Sequence, residues 1–132
     1  MFAKKYRIAV IDDEQKLTKL LKMILEDSID CKVEVFNDSL EALERLKEVP
    51  FDAISMDYRM PNLMGMDIVK FLRSHPGPNN LTKILLLTGF RDQAECADLE
   101  LLDQVYFQEK PVDESRFLRW INFMLKAKAK VS

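Results

Sequence analysis

Short apolar runs alternate with amphipathic stretches along the whole chain. Five of the runs predict strands: Tyr6 to Ile11, Lys32 to Phe36, Ala53 to Asp57, Ile84 to Thr88 and Val105 to Gln108. Ile8-Ala9-Val10-Ile11, Ala53-Ile54-Ser55-Met56 and Ile84-Leu85-Leu86-Leu87 are nearly continuous in apolar residues. Strands covered on both faces have this composition, so these three belong in the middle of a sheet. Lys32-Val33-Glu34-Val35-Phe36 alternates polar with apolar and suits an edge or a half-exposed position.

Between the strands, Leu17, Leu20, Leu21, Ile24 and Leu25 recur at helical spacing and predict a first helix packed on the sheet. Leu40, Leu43 and Leu46 predict a second, with Asp38 placed to cap its start and Glu41 three residues on. A weakly periodic, acidic fourth helix is expected over about Asp92 to Leu102. The last carries Phe117, Leu118, Ile121, Met124 and Leu125 as one apolar stripe, with Trp120 at its border, and the stripe reads as core packing. Lys126-Ala127-Lys128-Ala129-Lys130 fits no single helical face and reads as a solvated end. Strands alternating with helices give an α/β class, a doubly wound parallel sheet with helices on both faces. At 132 residues one domain is expected, with a core over about 6–125 and a tail over 126–132.

Composition narrows function mainly by exclusion. With 20 Lys and Arg against 22 Asp and Glu, the net charge of -2 gives no pull toward nucleic acid or an anionic membrane. No apolar stretch approaches the roughly 20 residues that span a bilayer, and Ile8 to Ile11 is too short for a leader, so a cytoplasmic location is expected. Cys31 and Cys96 lack metal-ligand spacing and read as free thiols. His75 falls in the loop Ser74-His75-Pro76-Gly77-Pro78-Asn79-Asn80 and reads as a solvated residue.

The chemistry collects at strand ends. In a doubly wound sheet the working crevice lies beyond the carboxyl ends of the strands. There the first strand gives Asp12-Asp13-Glu14, the third Asp57, the fourth Thr88-Gly89, and the fifth leads into Lys110-Pro111. Carboxylates drawn together either take up protons or hold a cation, and oxygen ligands alone favour a hard ion such as magnesium. Asp12, Asp13 and Asp57 are the expected ligands. A carboxylate can also attack phosphorus when charge on the transferring group is neutralised. The Lys110 ammonium and the Thr88 hydroxyl are suited to that task.

These residues, in this order, resemble the receiver domain of bacterial two-component response regulators from about Tyr6 to Leu125. The loop Asp57-Tyr58-Arg59-Met60-Pro61-Asn62-Leu63-Met64-Gly65 is the most specific part, with its Met-Pro pair and a glycine eight positions past the acceptor. The resemblance implies strand order 2-1-3-4-5, Asp57 as phosphoacceptor, and magnesium on Asp12, Asp13, Asp57 and the backbone carbonyl of Arg59. It further implies Thr88 and Phe107 as switch residues, with Tyr106 on the opposite side of the strand, and a cis bond between Lys110 and Pro111. By the same resemblance, Arg59 and Phe90 are expected at the two positions that border the water attacking the phosphoryl group. The partners implied are a sensor histidine kinase or phosphotransfer protein, and an output partner or second copy on the face of the fourth helix, fifth strand and last helix. Such a chain catalyses only its own phosphorylation and dephosphorylation.

Three rival classes make different demands on the same residues. A magnesium-dependent phosphohydrolase that forms an aspartyl phosphate resembles an Asp-x-Asp arrangement, whereas these acids are adjacent. A flavodoxin-like cofactor binder needs a Gly, Ser or Thr-rich phosphate loop after the first strand, where Asp12-Asp13-Glu14 would repel a phosphate without an intervening metal. A pseudo-receiver would keep the fold as an interaction module without phosphorylation. The sequence leaves open whether the chain stands alone or belongs to a longer protein.

Overall fold

A computed structural model describes residues 5–89 and 103–129 of the chain. The expected helix over Asp92 to Leu102, with Cys96, and the candidate Phe90 lie outside the described residues. The described residues form β1 (Tyr6–Ile11), α1 (Gln15–Ser28), β2 (Cys31–Phe36), α2 (Ser39–Glu48), β3 (Ala53–Asp57), α3 (Gly65–Ser74), β4 (Ile84–Thr88), β5 (Val105–Glu109) and α4 (Glu114–Ala129). All strand pairs are parallel, in the order β2-β1-β3-β4-β5. The sheet is therefore doubly wound as expected, with the order of strand addition reversing between β1 and β3.

Alternation along the strands feeds two cores. On one face Ile54, Met56 and Leu86 meet Ala42 and Leu46 of α2 and Ile68, Val69 and Leu72 of α3. On the other, Ile8, Val10 and Leu85 meet Leu21, Ile24 and Leu25 of α1 and Phe117, Ile121 and Met124 of α4. β3 and β4 are buried at every position, as their unbroken apolar runs require. β2 is an edge and shows the mixed burial that its alternation predicts. Val33 there gives its N–H to Glu26 Oε2 at 3.0 Å and takes Lys22 Nζ on its carbonyl at 3.4 Å.

Three details depart from the expected packing. Leu20 and Leu40, placed on the buried stripes of the first two helices by spacing, are 48% and 49% exposed. Thr18, Ser39 and Ala42 are buried on those helices instead. α4 runs to Ala129, past the expected stop at Leu125, because lysine and alanine are both strong helix formers whatever their facing. As expected, Asp38 caps α2 by accepting the Glu41 N–H at 3.3 Å, and Cys31 is a free, buried thiol. His75 is exposed, but its ring stacks on Phe71 with centroids 3.9 Å apart.

Arg73 holds the sheet's lower end together. Its guanidinium donates to the carbonyls of Thr82 at 2.6 Å, Asn80 at 3.0 Å and Asp103 at 3.0 Å. Burial lowers its pKa, so the carbonyl dipoles do the work that water does for an exposed arginine. No described helix is long and apolar enough to cross a membrane.

Candidate functional site

The carboxyl ends of β1, β3, β4 and β5 deliver the predicted residues to one rim. Asp12 is pulled under the sheet's edge, where its N–H bonds the carbonyl of Phe36 at 3.0 Å and closes the end of β1 against β2. Only 1% of Asp12 is exposed. Its Oδ1 accepts the Glu14 N–H at 2.9 Å, and its Oδ2 accepts Lys110 Nζ at 3.0 Å. The same ammonium lies 3.3 Å from Asp57 Oδ1. Asp13 is exposed, and carboxylate oxygens of Asp12, Asp13 and Asp57 all lie within 4.8 Å of one another.

Lys110 reaches this position from the backbone of β5. Its N–H bonds the Thr88 carbonyl at 2.7 Å, continuing the β4–β5 pairing. The Lys110–Pro111 bond is cis, as expected. Thr88 is buried and by alternation faces the α2/α3 side with Leu86. Phe107 packs partly buried against that same core, while Tyr106 packs against the opposite one, as the strand period requires. Arg59 is exposed, with its guanidinium 6.0 Å from the centroid of the buried Tyr58 ring.

Electrostatically the site has too little positive charge for its carboxylates. Burial raises the pKa of Asp57 to about 6, reinforced by the charge of Asp12 and opposed by Lys110 and the Arg59 N–H. Burial also raises Asp12, against the Glu14 N–H and Lys110. Burial alone would lower Lys110, but its bonds and charge contacts with the two aspartates outweigh that and raise it. One ammonium is shared between two buried carboxylates with a third close by. A small divalent cation held by oxygens suits that shortage.

Sequence reasoning missed the residues beneath this rim. Asn37 and Ser39 bond to the loops that follow β1 and β3, whereas the sequence reading reaches only Asp38 between them, as a helix cap. The run Asn37-Asp38-Ser39 directly after β2 was the available signal. The spacing of Gly65 is visible in the sequence, but the close approach of its backbone to Asp57 is not.

The sequence model for the response regulator receiver domain matches residues 8–122, which include every one of these rim residues. The chain belongs to the response regulator receiver family. This receiver is 30% identical over 122 residues to the transcriptional regulatory protein FixJ of Bradyrhizobium diazoefficiens, covering 92% of the present chain and 58% of FixJ. It is 31% identical over 97 residues to the protein-glutamate methylesterase/protein-glutamine glutaminase of Thermotoga maritima, covering 73% of the receiver and 27% of that protein. Among solved structures, a response regulator receiver domain protein from Clostridium thermocellum superposes with a TM-score of 0.83 at 27% identity, over 96% of this chain and 99% of that one. The receiver thus spans little more than half of FixJ and about a quarter of the methylesterase.

Proposed function

We propose that Asp57 is the phosphoacceptor of this receiver and that the site works with magnesium. The observation that carries the reading is Lys110, set 3.0 Å from Asp12 and 3.3 Å from Asp57 in a pocket of three crowded carboxylates. Asp12, Asp13 and Asp57, with the Arg59 carbonyl, would hold the ion, which when bound supplies charge neutralisation at a phosphoryl oxygen. An Asp57 oxygen attacks phosphorus and the bond from phosphorus to the donor breaks, leaving an acyl phosphate on the chain. Lys110 and Thr88 face the remaining phosphoryl oxygens and stabilise their charge as an ammonium and a hydroxyl donor. The donor in the cytoplasm is a phosphohistidine of a sensor kinase or phosphotransfer protein. Thr88 and Phe107 relay the change to the face of β5 and α4, where an output partner or second copy docks.

Acetyl phosphate with magnesium should add one phosphoryl mass to the wild-type chain and none to Asp57→Ala. Uptake by Asp57→Ala would refute the assignment. A wild-type chain that gains nothing would instead favour an interaction module without phosphorylation, and turnover of a phosphate monoester a phosphohydrolase.

The lifetime of the phosphoryl group should be long. Arginine stays protonated at ordinary pH and phenylalanine has no acceptor, so neither Arg59 nor Phe90 can draw a proton from the attacking water. Changing Arg59→Asn together with Phe90→Glu is expected to speed the decay of phosphorylated protein at fixed magnesium and pH. Slower decay would show the opposite sign, with Arg59 stabilising developing charge.

A further inference from the structure

The predicted ligands belong to two strand ends and the loops that follow them: Asp12 and Asp13 come after β1, while Asp57 is the last residue of β3 and Arg59 lies beyond it. Both loops are bonded to a third segment, the turn between β2 and α2. Asn37 Nδ2 donates to the carbonyl of Asp12 at 2.8 Å and to Thr18 Oγ1 at 3.0 Å. Ser39 is 1% exposed; its hydroxyl donates to the Pro61 carbonyl at 2.7 Å and accepts the Leu63 N–H at 3.0 Å. Asp38 lies between them, and its Oδ1 accepts Asn62 Nδ2 at 3.3 Å. Asn62 has a positive φ of 72°, and the Leu63 N–H also reaches the Pro61 carbonyl at 2.9 Å. The Ser39 hydroxyl therefore fills the mouth of a tight turn whose shape depends on it.

We propose that Asn37-Asp38-Ser39 is a positioning tie that fixes the gap between the two ligand-bearing loops and so sets how tightly the site takes magnesium. The proposal rests on the magnesium reading above. Capping α2 requires only the bond from Asp38 to the Glu41 N–H. The bonds of Asn37 and Ser39 instead leave the helix and reach residues 25 and 22 positions away. Both side chains turn their donors to the backbone carbonyls of the loops, and so bear on where the ligands stand. Magnesium demands near-octahedral oxygens at about 2.0–2.1 Å and tolerates little error in their spacing. Loops held in place before the ion arrives therefore bind it more tightly than loops that must be gathered. The tie makes α2 part of the site, although α2 contributes no charge to it.

Calorimetric titration of the full chain with magnesium chloride, run on wild type, Ser39→Ala, Asn37→Ala and Ala42→Gly, tests this. Ala42→Gly loosens α2 from within and leaves the tie intact. Ser39→Ala and Asn37→Ala are each expected to weaken magnesium binding about tenfold, as loss of an outer-shell support does. Ala42→Gly should stay within about twofold, since the ligands and their supports are unchanged. Equal affinities in wild type and both tie variants, with only the melting temperature lowered, would overturn the tie while leaving the magnesium reading intact. An equal loss in Ala42→Gly would overturn it too, by tracing the effect to helix stability. A wild-type chain that takes up no magnesium would remove the metal reading, and the tie with it. If Ser39→Ala fails to fold, the half-buried Asn37→Ala carries the same comparison.

Discussion

Gly65→Ala is expected to destabilise the chain by about 3 kcal/mol, the upper part of the range for overpacking a filled site. A Cβ on Gly65 would stand 2.5 Å from the Asp57 carbonyl oxygen, 3.1 Å from Leu86 Cδ2 and 3.2 Å from Tyr58 Cα. Two of these three neighbours are backbone atoms of the strand end that bears the acceptor, and they cannot swing aside. The backbone here does not have a positive φ, so glycine is required for space and not for conformation. The Gly65 N–H bonds the Tyr58 carbonyl at 2.8 Å, which presses the first turn of α3 against the end of β3. Pushing α3 outward would break that bond and drag the loop from Tyr58 to Met64 with it. Phosphoryl uptake should fall together with stability. A urea midpoint for Gly65→Ala equal to the parent's would show that the contact relaxes freely and that this account is mistaken.

Asp57→Asn should have the opposite effect and stabilise the metal-free chain at neutral pH. Asp57 is buried beside Asp12, and its pKa rises from the ordinary 3.8 to about 6. The folded chain therefore binds this proton more tightly than the unfolded chain does. Stability from this group is complete below 3.8, declines as pH rises toward about 6, and is absent above it. The penalty at pH 7 is about 2–3 kcal/mol, at about 1.4 kcal/mol for each pH unit between the two values. Asparagine keeps the shape and removes the charge, so the variant should melt roughly 6–10 °C higher at pH 7.5 in the presence of a chelator. The advantage should shrink as pH falls to 4, where the wild-type carboxyl carries its own proton. Magnesium should also narrow it by stabilising the wild type. A variant that melts lower than wild type at pH 7.5 would mean that Lys110 already neutralises Asp57 in full.

The sheet and the rim were readable in the sequence because each rests on a local signal. Unbroken apolar runs in β1, β3 and β4 marked covered strands, and the residue ending each run is the one that projects into the crevice. The helices were harder. α1 and α2 carry leucines on more than one face, and spacing alone could not exclude Leu20 and Leu40 from the core. Their places are taken by Thr18 and Ser39, whose hydroxyls find partners in Gln15, Pro61 and Leu63, so burial does not leave them unsatisfied. Arg73 is a stronger case. Its partners are the carbonyls of Asn79, Asn80, Thr82, Asp103 and Gln104, which no motif or periodicity connects to it.

The two bonds that α1 makes to Val33 matter for encounters between molecules. A sheet edge normally presents free N–H and C=O groups on which another chain can lay a strand, and β2 is such an edge. At Val33, midway along it, the N–H is held by the Glu26 carboxylate and the C=O by the Lys22 ammonium, one helical turn apart on α1. An incoming strand would have to displace both charged groups before it could pair there. That guards the receiver against edge-to-edge aggregation, and it leaves β2 an unsuitable place for a partner that binds by strand addition.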